Sequence, residues 1–375
     1  MNAADWQVKV ESPGRINIIG EHTDYNMGFV LPTAIDKKIH FSLKKNGSET
    51  RCNIFSKDLN QGFTFELTAV KPSKNQWENY LLGVVYEIQE LGCMLKGFDC
   101  ELESNLPIGS GISSSAALEC GLASGLNTLF DLGLSKMQIV ALSQRAEHNF
   151  VGTKCGIMDQ FASVMSKEGT VTLLDCRSLE YKYIPFNLVD TRIILMNTNV
   201  SHNLASGEYN IRKGQCETGV AIIKKRFPEV NSLRDVDPEM LEKCKADLDP
   251  VVYDRCLYVV SEKTRILEAV EALEQGDIAR LGQLMYATHA GLQHLYEVSC
   301  AELDFLVEQA GKYACVTGAR MMGGGFGGCT INLVREDGAE QFFKEVSDAY
   351  KQKFNKNLTI FTVTPSEGTK VITIE

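Results

Sequence analysis

No apolar run in this sequence approaches the ~20 residues that a membrane-spanning helix needs, so no helical span is expected. The opening stretch MNAADWQVKVESPGRINI lacks a basic segment followed by an apolar one, so no secretory leader is expected either. Histidine is scarce, with six in 375 residues, and no two stand at HxxH or HxxxH spacing. The twelve cysteines are scattered and form no CxxC. Those absences argue against a zinc site and a disulfide framework, and lead to reduced thiols in a cytoplasmic protein. Internal repeats, low-complexity tracts and a long Pro/Ser linker are missing. Positive charge is also short, the net charge being −10. An acidic chain is a poor partner for nucleic acid or an anionic membrane, and it must hold any anionic substrate by a local site. The Walker A pattern GxxxxGK[ST] does not occur, which excludes a P-loop enzyme.

What is present is a globular composition, 44% hydrophobic and 23% charged. The length exceeds the ~250–300 residues that one core usually serves, so two domains are expected. Alternating and β-branched runs read as strands at 7–11, 29–44, 51–56, 98–104 and 170–175. Helices are read at 114–129 and from an N-capping Ser135 to about Phe150. After the strand 192–198 the chain turns mostly helical, near 206–227, 253–275, 278–290, 299–312 and 337–354, with further strands at 329–334 and 358–364. The shift near residue 185 suggests domains at 1–185 and 186–375. The pattern is α+β, without the alternation of a doubly wound sheet.

The strongest local signal is NLPIGSGISSSAALECGLASGL, residues 105–126. A strand feeds a glycine- and serine-rich turn and then a small-residue helix. Gly109 and Gly111 allow a tight turn whose N–H groups converge, and the helix start adds free N–H groups and a partial positive charge. Ser113, Ser114 and Ser115 supply hydroxyls for phosphate oxygens or a divalent cation. A GxGxxG match at Gly323, Gly325 and Gly328 leads into a strand instead of a helix, so it is not read as a dinucleotide site. Its glycines are expected to let the backbone pass close to another loop, with Cys329 structural.

Residues 14–32, GRINIIGEHTDYNMGFVLP, gather Arg15, Glu21, His22 and Asp24 within ten positions among apolar neighbours. Carboxylates and an imidazole converging in a pocket suit a polyhydroxylated ligand; an exposed salt-bridged turn is the alternative. A third cluster, QRAEHNFVGTKCGIMDQFAS (144–163), holds Glu147 and Asp159. One carboxylate near Mg²⁺ and one near a nucleophile is what phosphoryl transfer requires. Taken singly, either acid reads as a surface residue.

Together these segments resemble a known family. GRINIIGEHTDYNMGFVLP is similar to the galactokinase signature, LPIGSGISSSAALE to the ATP-binding motif of the GHMP kinase superfamily, and GARMMGGGFGGCTINLV to its C-terminal motif. CGIMDQ and ASGEYNIRKGQCE (205–217) are also galactokinase-like, and the likeness runs end to end. The resemblance implies a two-domain fold, the first domain like ribosomal protein S5 domain 2 and the second ferredoxin-like, with the site in the cleft. It implies a monomeric kinase that phosphorylates the anomeric hydroxyl of galactose with MgATP. Arg15 and Asp159 become the catalytic pair. Glu21, His22, Thr23, Asp24, Gly156 and Tyr209 become sugar-binding positions. Gly109, Ser110, Gly111, Ile112, Ser113, Ser114 and Ser115 become the phosphate loop, with Ser56 and Trp77 towards adenosine and Ser115 and Glu147 at Mg²⁺. Met27 and Gly324 depart from the commoner pattern, and neither is expected to touch the chemistry. A kinase for a related sugar such as N-acetylgalactosamine, or a non-catalytic sugar sensor, are the rival readings. The intact SSSAA run with both Arg15 and Asp159 favours an enzyme.

Overall fold

The computed structural model describes residues 6–107, 109–200 and 205–374; Ile108 of the glycine–serine turn and the first five residues of the N-terminal stretch lie outside the described residues. In chain order, β1 (Val8–Asn17), β2 (Phe29–Val30), β3 (Pro32–Lys45), β4 (Arg51–Ser56) and β5 (Gln61–Glu66) precede α1 (Gln76–Glu90). Then come β6 (Phe98–Ser104), α2 (Ser114–Leu129), α3 (Lys136–Ala146), α4 (Met158–Met165), β7 (Thr170–Asp175) and β8 (Tyr181–Pro185). The second half holds β9 (Thr191–Asn197), α5 (Ala205–Arg226), α6 (Pro238–Lys243), α7 (Pro250–Gln275), α8 (Ile278–His294) and α9 (Ala301–Ala310). It closes with β10 (Val316–Met321), β11 (Cys329–Arg335), α10 (Ala339–Phe354), β12 (Thr359–Val363), β13 (Pro365–Ser366) and β14 (Lys370–Thr373).

The first sheet runs β14-β1-β3-β6-β4-β5, with β13 also paired to β3. All its pairings are antiparallel except β4 with β6. A four-stranded antiparallel sheet, β10-β11-β9-β12, occupies the second half, and β2-β7-β8 form a small third sheet. The chain leaves the first half between β8 and β9 and returns at its end, where β13 and β14 rejoin the first sheet.

The period of two along β9 shows how one strand serves two layers. Ile193 and Leu195 face the large core shared with the first sheet, α2, α7 and α8. Ile194 and Met196 face a separate core with Phe305 and Leu306 of α9 and Phe342 and Val346 of α10. The strand read across 29–44 is broken at Leu31, where β2 leaves for the small sheet and β3 continues in the large one. The helix expected to reach Phe150 ends at Ala146 and widens into a π-helical turn over Glu147–Val151, closed by a left-handed Gly152. All twelve cysteines are free, Cys329 among the buried ones. No helix among the described residues is long and apolar enough to cross a membrane.

Candidate active site

The glycine–serine turn is built against β1. Gly109, Gly111 and Ser113 all take positive φ, which turns the chain sharply before α2 starts at Ser114. The carbonyls of Gly111 and Ile112 point back to Arg15, accepting from its Nη1 at 2.7 Å and from its backbone N–H at 2.9 Å. With those carbonyls turned away, the free N–H groups of the first turn of α2 face the cleft. Gly323 supports the turn from the C-terminal half: a Cβ there would stand 3.1 Å from the Gly111 carbonyl oxygen. The glycine run thus does what its sequence suggested.

Arg15 is buried and binds Asp159 as a fork, Nε to Oδ1 at 2.8 Å and Nη2 to Oδ2 at 3.1 Å. Asp159 sits in the first turn of α4, and Ser113 also donates to its Oδ2. Glycine–serine turn, guanidinium and carboxylate are therefore bonded together along the cleft.

The loop after β1 lines the same cleft. Glu21 is buried, and its Oε1 accepts from Arg320 at 3.0 Å and from the Gly323 N–H at 2.9 Å. Burial alone would raise its pKa, but Arg320 and Arg15 hold it below the ordinary carboxylate value. His22 has φ +61, in the left-handed region that few non-glycine residues adopt. Burial pushes its pKa down to about 4, so it is neutral. Asp24 is buried without a cationic partner of its own, and burial together with the Asp159 charge pushes it up to about 7. Tyr209 of α5 closes this side of the cleft. Asn210 fixes the start of that helix by bonding the Lys154 N–H and the Gly152 carbonyl.

Glu147 enters the cleft from the π-helical turn, a helix irregularity that often marks function. Gln160 Nε2 donates to it at 2.9 Å and to the buried Glu119 of α2 at 3.1 Å. Burial and the Asp159 charge raise Glu147 to about 7, and burial raises Glu119 well above its ordinary value. A half-buried hydroxyl (Ser115), a carboxylate oxygen of Glu147 and phosphate oxygens of a nucleotide form a hard oxygen set, which fits Mg²⁺. A buried carboxylate that makes no salt bridge among the described residues, with Arg15 only partly offsetting its charge, is the observation that favours a divalent ion here.

The cleft brings together Arg15, Glu21, His22, Asp24, Gly109 to Ser115, Glu147, Asp159 and Tyr209. Four expected residues do not line it. The Thr23 hydroxyl is spent on the carbonyls of Gly20 and Phe29, at 2.9 and 2.6 Å. Gly156 packs under Asp24, where a Cβ would come within 2.1 Å of the carboxylate. Ser56 is buried and accepts from the Leu59 N–H, while Trp77 packs edge-on against Phe63 with its indole nitrogen buried. Gly324 was expected to stand clear of the chemistry; it lines the cleft beside His22. The sequence reading missed Tyr80, Gln160, Glu119 and Arg320. Glu119 and Arg320 carried a signal, each being a charge inside an otherwise apolar element.

Comparison with known proteins agrees with this geometry. Residues 3–45 match a family model described as the galactokinase galactose-binding signature, residues 79–167 the GHMP kinases N terminal domain, and 269–352 the GHMP kinases C terminal. A galactokinase of Thermosipho africanus is 40% identical over 361 residues, 96% of this chain and 99% of that protein. The crystal structure of Lactococcus lactis galactokinase complexed with galactose superposes with a TM-score of 0.94 at 33% identity, covering 98% of this chain and 96% of that one. The Methanococcus jannaschii mevalonate kinase shares the fold at 18% identity, with a TM-score of 0.68. Fold and site together define a small-molecule phosphotransferase of the GHMP kinase class. Within that class the chain belongs to the galactokinase family.

The unpaired Asp24 has a consequence for stability. An acid whose pKa is raised on folding holds its proton in the native state while the unfolded chain releases it, so stability is lost as pH rises from about 4 to about 7. Asp24→Asn removes that loss. Relative to wild type, the ligand-free variant should gain roughly 2 kcal/mol of unfolding free energy between pH 5 and pH 8. Urea unfolding at the two pH values checks this, and a pH-independent difference contradicts it.

Proposed function

We propose that this cleft transfers the γ-phosphoryl group of ATP to the anomeric hydroxyl of galactose, giving galactose 1-phosphate and ADP. The observation that carries the reading is the Arg15–Asp159 fork, set between a phosphate-binding helix start and a loop of buried sugar-matching groups. In support, the Lactococcus protein of the same fold binds galactose.

The roles follow from the geometry. The N–H groups at the start of α2 hold the nucleotide phosphates. Glu21, His22, Asp24 and Tyr209 enclose the sugar and offer it polar groups at fixed positions. The carboxylate of Asp159 accepts the hydrogen of the anomeric hydroxyl, orients its oxygen towards phosphorus, and takes the proton as the O–P bond forms. Arg15 holds that carboxylate in place. Three of its five N–H groups are bound by Asp159 and Gly111, which leaves two for phosphoryl oxygens. Ser115 and Glu147 would hold Mg²⁺, which would offset phosphate charge. No covalent enzyme intermediate is required, and burial keeps the nearby Cys155 a thiol by raising its pKa well above the ordinary value. No role is assigned to Ser56 or Trp77. We place the enzyme in the cytoplasm as a monomer; its twelve free cysteines suit a reducing compartment.

Three measurements test this. Asp159→Asn keeps the shape and removes the charge, so kcat should fall at least about 10²-fold while galactose affinity changes little. Near-normal turnover in a folded variant ends the assignment. Glu147→Gln should raise the Mg²⁺ concentration needed for half-maximal rate; an unchanged titration makes Glu147 structural. ADP release measured over galactose, glucose and N-acetylgalactosamine should show galactose far ahead. A buried site that pairs each hydroxyl can reject the C4 epimer by up to about 10⁴-fold in kcat/KM, and comparable values for glucose overturn the substrate.

A further inference from the structure

His22 has one ring nitrogen committed and one open. Nδ1 lies 2.9 Å from the Tyr25 hydroxyl, which lies 2.7 Å from the Tyr296 hydroxyl, which lies 3.2 Å from Cys216 Sγ. His22, Tyr296 and Cys216 are buried. Nε2 has no protein hydrogen-bond partner among the described residues, and the ring lines the cleft. Tyr296 reaches the sugar loop from the segment after α8. Arg212 clamps that segment through the carbonyls of Tyr296 and Glu297, both at 2.8 Å, and Arg255 through that of Leu295.

A phenol has a single hydrogen to donate, and an order that mixes directions leaves one phenol hydrogen without an acceptor in the chain; with every phenol hydrogen used, the four groups run in only two directions. Run outward from the ring, it ends with a phenol donating to sulfur, a weak acceptor. It would also turn the lone pair of the ring towards the Gly324 carbonyl, a group that can only accept. Run inward, the thiol donates to Tyr296, Tyr296 to Tyr25, and Tyr25 to Nδ1. Nε2 then carries the hydrogen and turns a donor towards that carbonyl and the cleft.

We infer that Tyr25 and Tyr296 are positioning residues whose hydroxyl relay, anchored on Cys216, holds His22 as the Nε2–H tautomer and so fixes a hydrogen-bond donor in the sugar site. The inference rests on reading this loop as the sugar site. Its chemical point is complementarity. A sugar hydroxyl that donates to a carboxylate still has lone pairs to satisfy, and that carboxylate cannot satisfy them. One oriented donor supplies the missing half of the pattern, and a sugar without a hydroxyl at that place leaves it unpaired.

The test reads the tautomer directly, without substrate. In histidine-¹⁵N-labelled protein, two-bond ¹H–¹⁵N spectra distinguish protonated from unprotonated ring nitrogens, and the His22 signals are those lost in His22→Gln. Wild type should show protonated Nε2 and unprotonated Nδ1. Tyr25→Phe should shift His22 towards the other tautomer and weaken galactose binding in calorimetry about tenfold, the effect of one hydrogen bond to a charge-free partner, with a smaller change in kcat. Tyr296→Phe should move both readings the same way by less. A protonated Nδ1 in wild type overturns the relay, as does a Tyr25→Phe protein whose tautomer is unmoved. A moved tautomer with unaltered galactose affinity overturns its role in binding. If Tyr25→Phe does not fold, Tyr296→Phe and Cys216→Ala decide by the same spectra. None of the overturning outcomes depends on turnover, so the relay can fail while the sugar panel still supports the kinase.

Discussion

One buried guanidinium joins the two halves of this protein. Arg320, on β10 of the second sheet, is fully buried and donates to the carbonyls of Asn17, Ile18 and Met321 and to the Glu21 carboxylate. It thus grips the end of β1 at the point where the strand becomes the sugar loop. A buried charge left without its partner costs about 3–5 kcal/mol, so the loop and β10 are held in one relative arrangement. The same loop is tied again from α7. Glu262 accepts from the Gly20 N–H at 3.0 Å, and Tyr258 donates to the Glu21 carbonyl at 3.0 Å. Because Gly323 bonds Glu21 and also packs on Gly111, the Glu21–Asp24 loop and the glycine–serine turn take their spacing from a single stretch of the C-terminal half.

That rigidity lets the cleft carry groups that would be unfavourable elsewhere. His22 and Ser113 hold left-handed backbone conformations, and the helix carrying Glu147 is widened to a π turn. Asp24 and Glu147 are buried acids with raised pKa values and no cation of their own. Each is a cost to the empty protein that a ligand can offset, a sugar hydroxyl for the one and a divalent ion for the other. The strain is carried by the surrounding hydrogen bonds, which place these groups before any ligand arrives.

Much of the fold was legible because its signals are local. The strands at 51–56, 98–104 and 170–175 and the helix at 114–129 have the bounds that alternation and small-residue composition suggested. α1 escaped because Gly83 and two consecutive valines interrupt a helical pattern; Gly83 is there to let α1 lie against Ala146. α4 escaped because it is only eight residues long and follows a Cys-Gly turn. β13 and β14 carry little period of their own, and pairing to β3 and β1 defines them.

The sequence by itself determined which chemical groups are available and in which short segments they lie: the glycine–serine turn, the Glu21–Asp24 loop, and the acids at 147 and 159. Turn geometry, helix starts and residue chemistry are properties of a few neighbouring positions, so they can be read without the fold. Only the tertiary structure decided which of those groups face one another. It turned the Thr23 hydroxyl into the backbone and put Gly156 beneath Asp24 as packing. It also brought Gly324 and Tyr296, some 270 to 300 residues away in the chain, against His22. Those choices depend on long-range burial and on where each buried donor finds its acceptor, and no local pattern encodes either.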